Sequence, residues 1–337
     1  MSTSDPDASA SEAKTALVTG ATGFIGRRLV PYLRARGWRV VALVRSVEAA
    51  KRQLEADGWV ECDLCGPEPV GIPRGVDTVF HLAGKAHAIL EVGEEEAAYR
   101  RLNTEATARL LEAAGRAGVR AFVYFSSVKA VADPRGLAGP ADESWTREPG
   151  TAYGRSKLEA ERIVLADAGV PHRVVLRPTL VYGPNPKGNL RKMADAVRRG
   201  RFPPLPETGN RRSAVHVDDV CRAALACAVC EAANGRVYIV ADDRPFSTRM
   251  LFEWMSEAVG RPVPGWTLPL WVLRLLGRAG DVIGRVRGRR FVFDSQALDR
   301  LTESAWYSAE RLKRDVGWQP SRTLRDSLRD MVREEAG

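Results

Sequence analysis

Histidine and cysteine are scarce in this chain: four and five residues among 337. The cysteines are Cys62, Cys65, Cys221, Cys227 and Cys230, and two pairs have C-x-x-C spacing. Those pairs lie too far apart in sequence for an ordinary zinc site. Cys221 and Cys227 fall in an alanine-rich helical stretch, where a buried thiol is ordinary. Inert thiols in a reducing compartment, with no metal, are therefore expected. No uncharged apolar run of about 18 residues occurs, so no membrane-spanning helix is expected. Residues 1–13 are small, polar and acidic, without the basic flank and apolar stretch of a secretory signal. They read as a disordered tail, and the cytoplasm is the expected location.

Acidic charge is in deficit as well. Lys and Arg number 51 against 42 Asp and Glu, a formal net charge of +9. Such a surface can serve nucleic acid, a membrane or an anionic substrate. No nucleic-acid motif accompanies the spread arginines, so nucleic acid is not an expected partner. The densest basic stretch, 274–290, follows the apolar run Leu268-Pro-Leu-Trp-Val-Leu273. That arrangement allows weak attachment to a membrane surface, but a solvated face is the preferred reading.

What is present is alternation. Strands are expected at 15–19, 39–44, 76–82, 121–126 and 172–177. Helices are expected at 24–36 and 94–117. Strands separated by helices imply a parallel sheet covered on both faces. Beyond residue 178 prolines and glycines cluster and the alternation fades, although 218–231 and 248–259 still read as helices. The expected architecture is α/β: a Rossmann-type doubly wound domain over 14–178 and a smaller C-terminal substrate-binding lobe over 179–337, some segments of which return to the first domain.

The first strand runs straight into Thr19-Gly20-Ala-Thr22-Gly23-Phe24-Ile25-Gly26. Glycines let backbone approach a pyrophosphate, and the following helix offers unpaired N–H groups to its charge. The whole turn is expected to hold a dinucleotide. An acidic residue ending the second strand would bind the ribose of NAD; this chain has Arg45 there instead. A guanidinium suits a 2′-phosphate, so NADP(H) is preferred, with NAD(H) as the other choice. Asp63 and Leu64, after a further strand between residues 44 and 63, are placed at the adenine edge. His81-Leu82-Ala83-Gly84, ending the strand at 76–82, would line the cofactor.

Tyr153-Gly-Arg-Ser-Lys157 sets a phenol and an ammonium four residues apart, on one helix face. A neighbouring ammonium eases ionisation of the phenol, so proton exchange near neutral pH is expected. Ser126-Ser127 ends the preceding strand and can donate to a carbonyl or alkoxide. Serine, tyrosine and lysine together match hydride transfer at a C–OH/C=O pair.

On these motifs, with Asn103 and Arg177-Pro178, the chain resembles the extended short-chain dehydrogenase/reductase (NAD-dependent epimerase/dehydratase) family. The resemblance covers residues 15 to about 332. It implies that Tyr153 is the acid/base, that Lys157 holds the cofactor ribose, and that Ser127, rather than Ser126, polarises the reacting oxygen. Asn103, Tyr153, Lys157 and Pro178 would all touch the cofactor. Gly84 replaces a more frequent alanine, a departure expected to matter little. Segments 126–129, 177–184, 187–189 and 210–213 look like the nucleotide-sugar 4-epimerases and 4-keto reductases of bacterial polysaccharide synthesis. Lys85, Ser127, Lys129, Asn189 and Arg212 would then contact substrate, the last two at the nucleotide diphosphate. The family's 4,6-dehydratases carry an acidic pair where this chain has Val128-Lys129, which argues against water elimination; Asp142-Glu143 is a conceivable substitute. The resemblance also implies a homodimer through helices near 94–117 and 151–168.

The expected activity is therefore NADP(H)-dependent reduction of a 4-keto nucleotide sugar. Nucleotide-sugar 4-epimerisation is the near alternative. Reduction of flavonoid-like ketones or oxidation of 3-hydroxysteroids is a second. A non-catalytic cofactor-binding subunit is a third, and the presence of both Tyr153 and Lys157 speaks against it.

Overall fold

The computed structural model describes residues 13–85, 94–185, 189–287, 291 and 293–333. Most of the tail expected at 1–13 lies outside them. Strands β1 (Thr15–Thr19), β2 (Arg39–Val44), β3 (Gly58–Glu61), β4 (Thr78–His81), β5 (Ala121–Phe125), β6 (His172–Pro178) and β9 (Arg236–Val240) form one sheet. Its order is β3-β2-β1-β4-β5-β6-β9, with every pairing parallel. Nearly continuous apolar runs such as Thr15-Ala-Leu-Val-Thr19, buried at every position, suit a sheet covered on both faces.

Helices α1 (Gly26–Arg34) and α7 (Val217–Val229) cover one face with Leu29, Leu33, Val220 and Ala224. Helix α2 (Val47–Lys51) is a short turn after β2. Helices α3 (Glu94–Tyr99), α4 (Ala106–Arg116) and α5 (Ala152–Ala166) lie on the other side, where α4 and α5 contribute Leu110, Leu111, Ala160 and Val164 to its core. Strand order reverses between β1 and β4. In open parallel sheets, ligands bind beyond the strand C-termini at such a switch point.

The second body begins with the small parallel sheet β7 (Leu180–Tyr182) and β8 (Ala214–His216). Helices α6 (Asn189–Arg198), α8 (Thr248–Ala258) and α12 (Leu324–Arg333) enclose Tyr182, Phe246, Phe252 and Leu328. Helices α9 (Leu270–Val286) and α10 (Ser295–Thr302) meet around Leu205, Leu273 and Leu298. Helix α7, strand β9 and helix α11 (Glu310–Val316) pack back on the first sheet.

Several boundaries differ from the sequence reading. The helix expected at 24–36 spans Gly26–Arg34; Phe24 and Ile25 lie in the turn before it, which the Arg27 N–H closes onto Gly23 O at 3.0 Å. The helix expected over 94–117 is interrupted by a π-helical turn at Arg100–Glu105. Such a turn inserts a residue into the ladder and is frequent beside functional sites.

Candidate active site

Four local features assemble the site. Thr151 Oγ1 accepts the Gly154 N–H at 3.1 Å and starts α5 at Ala152, which puts Tyr153 in its first turn. A Cβ on Gly154 would stand 2.3 Å from Lys129 O, so only glycine lets α5 abut the 128–130 turn. That turn is capped by Ser127, whose Oγ accepts the Lys129 N–H at 3.2 Å. The π-helical turn carries Asn103, fully buried, towards the end of β4.

Tyr153 and Ser127 are brought together. Burial pushes the Tyr153 phenol up from its ordinary pKa, and a hydrogen bond from Ser127 acts in the opposite direction. Tyr99 stands edge-on to Tyr153 at 5.8 Å, and the Lys85 ammonium lies 5.1 Å from the centre of the Tyr99 ring. Lys157 Nζ donates to Phe125 O at 2.9 Å, and burial is the largest influence on the Tyr153 phenol. Burial also lowers the Lys157 pKa, to about 8, against the upward pull of Glu161.

Beneath the site lies a charge pair that sequence reasoning did not single out. Arg177 Nε and Nη2 donate to the two Glu161 oxygens at 2.9 and 2.5 Å, with side chains 7% and 2% exposed. Ser126 donates its hydroxyl to the same carboxylate. Ser126 is thus committed to the core, while Ser127 faces Tyr153. The available signal was the position of Glu161, one helical turn beyond Lys157.

A second buried chain runs from the glycine turn to the catalytic helix. The Ala83 N–H donates to Thr19 Oγ1 at 3.1 Å, and Thr19 donates to His81 Nδ1 at 2.7 Å. Thr107 donates to Asn103 O at 2.6 Å, so it accepts from His81 Nε2 at 2.8 Å. That accounting leaves His81 neutral, and burial drives its pKa down to about 3. Asn103 Oδ1 accepts the Lys85 N–H at 2.8 Å, and Nδ2 donates to Ser156 Oγ at 3.0 Å. Gly84 is tighter than its sequence suggests. A Cβ there would fall 2.8 Å from Asn103 Oδ1 and 3.4 Å from Lys157 Nζ. Gly84→Ala is expected to cost about 1–3 kcal/mol of stability by overpacking, read from urea unfolding. An unchanged midpoint would mean that the Lys85 loop yields freely.

The glycine turn fits a dinucleotide. A Cβ on Gly26 would stand 2.3 Å from Gly20 O, so the turn closes only without side chains. No side chain caps α1 at Ile25, and the Arg27 and Arg28 N–H groups bond Gly23 O and Ile25 O, each at 3.0 Å, so what the turn offers an anion is the positive end of the helix. Thr22, Gly23, Phe24 and Ile25 form its half-buried lip. Leu82 and Ala83 cross beside it, with Leu82 N–H on Thr19 O at 3.3 Å. Arg45 is exposed just past β2. Asp63 is exposed after β3, its Oδ1 accepting the Cys65 N–H at 3.0 Å, and Leu64 is buried beside it. Pro178 is buried at the end of β6.

Two of the substrate candidates, Lys129 and Arg212, lie around Asp133. Lys129 Nζ donates to both of its oxygens, at 2.5 and 2.7 Å, and Tyr307 Oη donates at 3.3 Å. Burial lowers the Arg212 pKa, while the charge of Asp133 raises it. Arg212 Nη1 donates to Arg300 O at 2.7 Å and Glu303 O at 3.3 Å, at the end of α10. Asn189 begins α6, and its side chain lies outside the described residues. The Asp142-Glu143 pair offers no substitute acid. Glu143 accepts the Ile239 N–H at 2.8 Å and faces Arg311 at 3.5 Å, while Asp142 accepts from Ser144. Among the described residues, no three or more His, Cys, Asp or Glu side chains gather as metal ligands, and no helix is long and apolar enough to cross a membrane.

Fold and site together define an NAD(P)-dependent oxidoreductase or epimerase of the extended short-chain dehydrogenase/reductase type. The NAD-dependent epimerase/dehydratase family matches residues 16–241, and the chain belongs to that family. It is 28% identical to UDP-glucose 4-epimerase of Vibrio cholerae over 324 residues, covering 94% of each chain. It is 30% identical to 3β-hydroxysteroid dehydrogenase/Δ5→4-isomerase of Mycobacterium tuberculosis, over 94% of this chain and 89% of that one. Among solved structures it is similar to MoeE5 in complex with UDP-glucose and NAD, with a TM-score of 0.73 and 26% identity over 96% of this chain and 98% of that one.

Proposed function

We propose that this protein transfers a hydride between a nicotinamide cofactor and C4 of a nucleotide-linked sugar, in the direction of 4-keto reduction. The contact between Ser127 and Tyr153, one helical turn from Lys157, carries the reading. The bound nicotinamide supplies the hydride. Tyr153 donates its proton to the oxygen that becomes the sugar hydroxyl, and Ser127 donates a hydrogen bond to that oxygen. Lys157 holds positive charge against the charge developing there. The glycine turn, with Leu82 to Gly84, Asn103 and Pro178, holds the cofactor; Lys85, Lys129, Asn189 and Arg212 hold the substrate. Lys129 and Arg212 share the charge of Asp133, a setting suited to an incoming diphosphate. Two copies of the chain pair through the helices over 94–117 and 151–168.

Arg45 supports NADPH. Arg45→Ala is expected to weaken NADPH binding about ten-fold and leave NADH binding unchanged, as loss of one charged hydrogen bond would. Equal effects on both cofactors would remove Arg45 from the 2′-phosphate. The likeness to the Vibrio UDP-glucose 4-epimerase favours a second reading, 4-epimerisation with tightly held NAD. Native mass spectrometry, followed by turnover assays, separates the two. An empty site that oxidises NADPH only with a 4-keto nucleotide sugar supports reduction. Co-purified NAD with interconversion of UDP-sugars supports epimerisation. Cofactor binding without affinity for any nucleotide sugar would turn the reading to steroid- or flavonoid-like ketones, as the mycobacterial relative suggests.

A further inference from the structure

Helix α9 is held by a narrow inner strip. Leu273, Gly277 and Gly280 are buried, and a Cβ on Gly280 would collide with Phe293 O. The one acidic residue of the helix, Asp281, turns inward and accepts from Ser295 Oγ at 2.6 Å. The outer side is different. At ~100° per residue, Trp271, Leu275, Val282 and Val286 form one stripe, and Arg274, Arg278 and Arg285 form a second stripe beside it. The four apolar residues are 64%, 55%, 56% and 83% exposed, and Trp266, just before the helix, is 61% exposed. A contiguous apolar stripe of this kind marks a contact surface.

We infer that this face docks on an anionic bilayer surface, with α9 lying in the plane of the lipid headgroups. Tryptophan, leucine and valine reach the acyl boundary, while arginines along one flank stay at the level of the phosphates. The net charge of +9 draws the chain to such a surface. A second copy of this face fits worse, since the outer arc offers it arginines and no carboxylate to meet them. Helix α9 packs on α10, whose last turn is held by Arg212. Docking therefore brings the body carrying Arg212 to the membrane.

The test is co-sedimentation of the full chain with vesicles of phosphatidylcholine alone, or of equal parts phosphatidylcholine and phosphatidylglycerol. The chain is expected to pellet with the mixture only, and less so as salt rises. The variant Trp271→Ser/Leu275→Ser/Val286→Ser keeps the charge and is expected to bind about ten-fold more weakly or worse. Its melting curve and cofactor affinity should match those of the parent. Arg274→Gln/Arg278→Gln/Arg285→Gln should lose binding by the other route. Full binding by the serine variant would mean that bulk charge alone acts, and it overturns the inference. So does failure of the parent to pellet with the mixture. Conversion of a dimeric parent to a monomer by the serine variant, without vesicle binding, would assign the face to a second copy.

Discussion

Replacing Tyr153 with Phe is expected to lower kcat by a hundred- to ten-thousand-fold, far more than it weakens cofactor binding. The substitution removes one oxygen and keeps the ring that packs edge-on against Tyr99. Folding and the glycine turn should therefore survive. Ser127→Ala should fall in the same direction by less, since the phenol then loses one hydrogen-bond donor and keeps its proton. Single-turnover kinetics with bound cofactor is the measurement. A kcat within a few-fold of the parent for Tyr153→Phe would take the proton transfer away from this residue.

The second large effect is expected at Glu161. Removing one partner of a buried ion pair leaves the other charge uncompensated, at a cost of about 3–5 kcal/mol. Glu161→Ala does this to Arg177 and also takes the acceptor from Ser126. Chemical unfolding should show the loss; a change below about 1 kcal/mol would mean that water reaches the pair. The milder Glu161→Gln has a kinetic signature. The Lys157 ammonium has a pKa of about 8, lowered by burial and held up by Glu161. Reduction needs that charge, so kcat/KM should be level below pH 8 and fall above it. Without the carboxylate, the ammonium deprotonates sooner, and the falling limb moves to lower pH. A shift to higher pH would contradict this account.

Much of the fold was legible because its signals are local. A buried strand, a glycine turn and a helix follow one another in one stretch of twenty residues, Thr15 to Arg34. Tyr153 and Lys157 share a helix face by spacing alone. The remainder depends on contacts distant in sequence. Glu161 looks like one more solvated glutamate until Arg177, sixteen residues on, closes over it in the core. The π-helical turn at 100–105 leaves no mark on a 3.6-residue period, yet it delivers Asn103 to the Lys85 loop. Arg212 reads as a loop arginine free for a phosphate, whereas its guanidinium also ties down α10 from 88 residues away. Gly84 reads as a neutral exchange for alanine, and only the position of Asn103 shows that the space is taken.

Strand β9 pairs with β6 in register from Val174↔Arg236 to Pro178↔Val240, after the chain has already visited the second body. The polypeptide is therefore woven through both bodies and cannot be divided at residue 178 into two self-sufficient pieces. A fragment ending there would expose the hydrogen-bonding edge of β6, a ready template for aggregation. Any opening between the bodies must bend several chain crossings at once.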